Sequence, residues 1–199
     1  MESESIKALL HDTTRDVRRQ VSYQLFKIVQ SKDFKDEKGR FYIEKSTKKR
    51  SFTVPETNYR EIVFLKDKET RKALLAVSKT LEKLLTNNFQ HGFRTHYDIK
   101  TFCANAKTTG GMLKIDLKSA FNQLPKRQIQ KFFEKACDLR KAEAEILTEL
   151  STYRGYMYQG CPYSPMIFNC MIYGALRDIN KIKDIEVQSY ADDLSLIHI

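Results

Sequence analysis

The run Val187-Gln-Ser-Tyr-Ala-Asp-Asp-Leu-Ser-Leu-Ile-His-Ile199 decides how this 199-residue chain folds. Its flanks, Val187 to Tyr190 and Leu194 to Ile199, read as apolar strands, and Ala191-Asp-Asp193 between them is a tight acidic turn. A second strand-like run, Met112-Leu-Lys-Ile-Asp116, also ends on an aspartate. Three carboxylates therefore stand at the ends of segments that otherwise read as buried. Burying a carboxylate costs several kcal/mol unless a partner or a metal compensates, so Asp116, Asp192 and Asp193 need an explanation. One account has each of them in a turn facing water, where Asp is common. The other is a divalent cation, because hard oxygen donors suit Mg²⁺ and the cation reverses the repulsion between like charges. Spacing along the chain does not by itself bring Asp116 to Asp192.

Upstream the pattern is mostly helical. Residues 14 to 30 set Val17, Val21, Leu25, Ile28 and Val29 at helical spacing behind Thr13 and Thr14 as caps. From Gly39 to Val54 the period falls to two. Phe41 and Ile43, then Phe52 and Val54, alternate with polar neighbours around Glu44-Lys-Ser-Thr-Lys-Lys49, which predicts a hairpin with a basic tip. Pro55 and Asn58 mark a loop, and Ile62 to Leu65 a short extended segment. Lys68 to Asn88 carries Leu74, Val77, Leu81, Leu84 and Leu85 on one helical stripe, ended by Asn87 and Asn88. A shorter helix covers Tyr97 to Lys107, and Thr108-Thr-Gly-Gly111 is a turn dividing two subdomains. Past Asp116, helices are predicted over Arg127 to Ala136 and Lys141 to Tyr153. Another runs to Ile179, with Ser164 as cap and Pro165 at its first position.

Composition excludes several classes. Hydrophobic residues make up 41%, with only 7 Gly and 4 Pro, which excludes a disordered or collagen-like chain. Cys103, Cys137, Cys161 and Cys170 form no C-x-x-C pair, so neither a zinc site nor a disulfide framework is predicted. His11, His91, His96 and His198 show no ligand spacing either. The longest apolar run, near Met166 to Leu176, is broken by Asn169 and Gly174, and the first residues are acidic and polar. A soluble, cytoplasmic protein with no membrane partner is expected. The net charge is +10 and unevenly spread: residues 1–110 hold 23 basic against 14 acidic groups, residues 111–199 only 12 against 11. The first half is suited to a polyanion, an ordinary basic surface being the alternative.

Three ordered signatures carry a resemblance. Asp116-Leu-Lys-Ser-Ala-Phe-Asn-Gln123, Gln159-Gly-Cys-Pro-Tyr-Ser-Pro165 and Tyr190-Ala-Asp-Asp193 resemble motifs A, B and C of reverse transcriptases. Upstream, Arg50-Ser-Phe-Thr-Val-Pro55 and His91-Gly-Phe-Arg94 are similar to two fingers motifs of the bacterial retron and group II intron enzymes, and Asn105-Ala106 to a retron feature. The resemblance spans roughly residues 40 to 199. It implies an α+β right-hand polymerase. Residues 1–110 would form the fingers, with an N-terminal helix, a basic β-hairpin and further helices. Residues 111–199 would form the palm, a ferredoxin-like antiparallel sheet backed by helices. By comparison with the family, the 199 residues stop short of the later palm motifs, the primer grip and the thumb, so the thumb is expected to be absent and processive synthesis by this stretch alone is not expected.

The resemblance also implies an activity, RNA-directed DNA synthesis by two-metal phosphoryl transfer to a primer 3′ hydroxyl. Its cofactors would be two Mg²⁺ ions, with Mn²⁺ as a substitute, bridged by Asp116 and Asp192 with Asp193 as accessory ligand. An RNA template, a DNA or RNA primer and deoxynucleoside triphosphates are the implied partners; oligomeric state is left open. Phe121, five residues after Asp116, would pack under the sugar and exclude a 2′ hydroxyl, which a phenyl ring cannot accept a hydrogen bond from. Gln159 and Gly160 would lie beside the incoming nucleotide, the glycine letting a ligand approach the backbone. Lys48 and Arg50, in the basic cluster with Lys45 and Lys49, would hold the triphosphate, a guanidinium being suited to bidentate phosphate binding. Arg94 would steady the fingers or touch the template backbone. Two rivals are an RNA-dependent RNA polymerase, disfavoured by Phe121, and a nonpolymerising nucleic-acid-binding scaffold with a palm-like fold, disfavoured by the presence of all three carboxylates with Phe121 and Gln159.

Overall fold

The computed structural model describes residues 4–30, 41–48, 58–105 and 110–198. Helix α1 (Glu4–Gln30) starts upstream of Thr13 and Thr14, which lie inside it rather than capping it. Val17, Val21, Leu25 and Ile28 form its buried stripe, while Val29 turns outward. They pack against α2 (Lys68–Leu81), whose N-cap Asp67 accepts from the amides of Glu69 and Thr70. The α2 stripe of Leu74, Val77 and Leu81 is fully buried. The helix tightens into a 3-10 turn at Glu82–Leu84, so it ends before the Asn pair.

Between α1 and α2, strand β1 (Phe41–Lys48) pairs antiparallel with β2 (Asn58–Leu65), from Phe41 opposite Leu65 to Lys48 opposite Asn58. The expected hairpin is therefore corrected. The basic residues Lys45 and Lys48 lie within a strand, and the partner strand is residues 58–65. Alternation explains the choice, because Val63 and Leu65 bury completely against the helices. Phe52, Val54, Lys49 and Arg50 fall outside the described residues.

Helix α3 (Ile99–Asn105) is shorter than expected within the described residues and leads towards β3 (Met112–Asp116). Then follow a 3-10 turn at Phe121–Gln123, α4 (Lys126–Ala136) and α5 (Lys141–Ser151). Helix α5 stops two residues early because Thr152–Tyr153 (β4) and Tyr156–Met157 (β5) form a small hairpin. Its turn holds Arg154 and Gly155 at φ 54° and 85°. Helix α6 (Ser164–Ile179) has Pro165 in its first turn as predicted, but Tyr163 is the N-cap residue and the Ser164 hydroxyl caps nothing. Strands β6 (Ile185–Tyr190) and β7 (Asp193–His198) complete a sheet of order β3-β7-β6, antiparallel throughout.

The main core joins α1, β2, α2, α4, α5 and α6. A smaller cluster of Phe89, Leu176, Val187 and Leu194 seats α6 and the residue 89 loop on the three-stranded sheet. Strand β3 was expected to be buried and is not. It lies at the sheet edge, with Met112 63% and Leu113 59% exposed, and Ile115 alone reaches the small cluster. Among the described residues no helix is long and apolar enough to cross a membrane.

Candidate active site

The acidic turn is built by the register of its strands. β6 and β7 stay paired up to Tyr190 opposite Asp193, leaving only Ala191 and Asp192 to turn the chain. Ala191 adopts φ 56°, a left-handed conformation that costs a residue with a Cβ. On the other side of β7, Asp116 stands opposite Asp193, and the Leu117 amide donates to the Asp192 carbonyl at 3.2 Å. The backbone thus gathers Asp116, Asp192 and Asp193 at one end of the sheet, a juxtaposition that linear spacing could not provide.

Their side chains are wetter than expected. Asp116 is exposed, and Asp192 and Asp193 are half-buried. Lys114, two residues before Asp116 on the same face of β3, places its Nζ 3.3 Å from Asp193 Oδ1. Among the described residues, no three His, Cys, Asp or Glu side chains converge as a group able to hold a metal ion. The donor chemistry fits a hard divalent cation, since all three are carboxylates carried on adjoining backbone.

Behind the turn sits the loop of His91-Gly-Phe-Arg94, whose arginine is expected to steady the fingers or touch the template backbone. The Ser189 amide donates to the Phe89 carbonyl and the His91 amide to the Ser189 carbonyl, both at 2.8 Å, so residues 89–91 extend the sheet beside β6 as a short parallel bridge. The His91 ring is completely buried, with Nε2 2.7 Å from Gln188 Oε1 and Nδ1 3.1 Å from Thr101 Oγ1. Burial lowers its pKa, against the opposing pull of the Gln188 bond. Arg94 donates through Nη1 to the carbonyls of Asn87 and Gln90, and through Nη2 to that of Leu85. Its guanidinium also lies 4.1 Å from the Tyr97 ring centre. These bonds are the geometry of a residue that steadies its own loop.

The turn 159–163 docks on β2. The Val63 amide donates to the Gln159 carbonyl at 2.9 Å, and Gly160 sits at φ 106°, where a Cβ would come 2.3 Å from the Val63 carbonyl oxygen. In this arrangement the bare glycine face meets protein backbone rather than open space. The Tyr163 side chain is fully buried and its hydroxyl donates to the Leu147 carbonyl. Phe121 is partly buried in the 3-10 turn after β3, its ring 5.4 Å from that of Phe168. Lys48 closes β1, and Arg50 lies outside the described residues. The sequence reading missed Gly92, Asn169 and Gln188 as parts of this framework; of these, only Gly92 had a signal, its place in His-Gly-Phe-Arg.

Two acidic strand ends, Asp116 and Asp193, thus stand paired beside the two-residue turn that carries Asp192. A family model described as Reverse transcriptase (RNA-dependent DNA polymerase) matches residues 43–198, more than half of the chain, and the chain belongs to that family. No curated protein matches it.

Proposed function

We propose that this chain carries the nucleotide-transfer site of an RNA-directed DNA polymerase, adding deoxynucleotides to a primer 3′ hydroxyl on an RNA template. The observation that carries this reading is the pairing of Asp116 with Asp193 beside the two-residue turn holding Asp192, within a chain of the reverse transcriptase family. Residues 1–110 act as fingers and residues 111–199 as palm. Asp116, Asp192 and Asp193 are the residues that would hold Mg²⁺. When bound, two such ions supply charge neutralisation at the attacking oxygen and the departing pyrophosphate.

The chain's own groups do the rest. The Phe121 ring, braced on Phe168, offers no acceptor to a ribose 2′ hydroxyl, and so selects deoxynucleotides. Gln159 and Gly160 border the nucleotide, and Lys48 and Arg50 neutralise its triphosphate. The bonds of Arg94 to three carbonyls support a role in holding the loop, with any template contact left to its solvent edge. Among reverse transcriptases we place the chain nearest the retron and group II intron types, on Arg50-Ser-Phe-Thr-Val-Pro55 and His91-Gly-Phe-Arg94.

The test is single-nucleotide extension of a DNA primer on an RNA template by the full chain. Asp192→Asn is expected to abolish addition while leaving the circular dichroism spectrum unchanged. Undiminished extension by that variant refutes the assignment.

A further inference from the structure

The loop 89–94 is pinned more firmly than a surface loop beside nucleic acid needs to be. Towards β6 it is held by the paired bonds of Ser189 with Phe89 and His91. Towards α6 it is held by Gln90 Nε2, which donates to the Asn169 carbonyl at 2.9 Å, and by Asn169 Nδ2, which donates to the Gly92 carbonyl at 2.7 Å. Arg94 closes it from within. Gln90, His91 and Asn169 are at most 1% exposed, so water cannot replace these bonds once they break. At the centre, Gly92 lies so close to the acidic turn that a Cβ there would stand 2.5 Å from the Ala191 nitrogen and 3.3 Å from the Ala191 Cβ. Ala191 is itself held at φ 56°.

We propose that Gly92 and Asn169 are positioning residues for nucleotide transfer, a buttress that fixes the turn carrying Asp192 at a set distance from α6. This rests on the polymerase reading given above. Helix α6 begins directly after the Gln159 turn, so one rigid body, the loop 89–94 clasped to Asn169, joins the nucleotide side of the site to its carboxylate side. Gly92 contributes by having no side chain: with the loop bonded on three sides, any added atom must push the turn instead.

Restoring ordinary contact in Gly92→Ala takes about 1 Å of movement from the 2.5 Å approach. A displacement of that size at a reacting centre costs up to roughly a hundredfold in rate. In steady-state single-nucleotide addition by the full chain, Gly92→Ala is expected to lower kcat roughly 10- to 100-fold with the KM for nucleotide nearly unchanged. The Mg²⁺ concentration for half-maximal rate should rise, a readout that general loosening of the fold does not move. Asn169→Ser, which releases the Gly92 carbonyl, should change both quantities in the same direction and carries the test if Gly92→Ala does not fold. Gly174→Ala on α6, where a Cβ meets nothing within 4 Å, should change neither. Unchanged kcat and Mg²⁺ dependence in the folded variants, or a raised KM with kcat intact, overturns the buttress. Asp192→Asn is assayed alongside. If it too remains active, the polymerase reading has failed; if it alone is inactive, only the buttress has.

Discussion

The backbone amide of Val63 donates to the carbonyl of Gln159 at 2.9 Å, tying β2 to the turn that precedes α6. Gly160 makes this contact feasible, since any side chain there would collide with the Val63 carbonyl at 2.3 Å and would also have to adopt φ 106°. Gly160→Ala is therefore expected to cost about 1–3 kcal/mol of stability and to detach the strand pair β1-β2. Urea denaturation measures the first effect, and hydrogen exchange at the Val63 amide the second. Normal protection of that amide in the variant contradicts the coupling.

Phe121 packs on Phe168, and the selection role proposed for it separates from that packing by experiment. Trimming it to valine removes part of its contact with Phe168, at a cost of about 1 kcal/mol for a ring only partly buried. The same change opens space beside the sugar, so Phe121→Val should raise ribonucleotide incorporation relative to deoxynucleotide. Competition assays with paired nucleotides measure the ratio. A stability loss with no change in discrimination would show that the ring is core and nothing else.

Lys114 pairs with Asp193. The pair is 3.3 Å apart with side chains 65% and 48% exposed, and exposed ion pairs contribute about 0–1 kcal/mol. Lys114→Met should leave the thermal midpoint nearly unchanged. Because it frees a carboxylate from its cation, the Mg²⁺ concentration needed for half-maximal nucleotide addition should fall. A higher requirement would mean that Lys114 orients Asp193 for the metal rather than withholding it.

Where local pattern was strong, sequence and structure agree. The buried stripe of α2, the proline in the first turn of α6 and the two strands flanking Asp192 follow from periodicity and from the fixed φ of proline, whereas the caps expected at Thr13, Thr14 and Ser164 do not form. Failures came where a distant partner decided. Phe52 and Val54 alternate with polar neighbours while Ile62 to Leu65 are apolar throughout, yet it is residues 58–65 that pair with β1, with burial alternating along them so that Val63 and Leu65 face the helices. Strand β3 reads as buried because Met112, Leu113 and Ile115 are apolar, but burial depends on neighbours, and among the described residues β3 has a strand on one side only. Of the site, the three aspartates were visible in the sequence as residue types, and their meeting was visible only through resemblance. Asn169 gave no signal, since a lone asparagine inside an apolar helical run does not announce the carbonyl it serves.

Acid stability depends on a different carboxylate. Glu143 on α5 is nearly buried and accepts from the Arg140 amide at 3.0 Å, from Arg140 Nε at 3.1 Å, and from the Ser22 hydroxyl of α1 at 3.0 Å. The Arg140 side chain is the largest cause holding its pKa down, to about 2 from an ordinary 4.5, with burial opposing. The folded value lies below the unfolded one, so this stabilisation is fully present above about pH 4.5 and disappears as pH falls towards about 2. Glu143→Gln should therefore lower stability at pH 7 by about 1.5–3 kcal/mol, the range for hydrogen bonds to a charged group. The deficit should shrink as pH is lowered from 4.5 to 2. Urea midpoints of both proteins across that range provide the check. A deficit that stays constant would assign the loss to packing at the junction of α1 with α5 and leave the charge without a role.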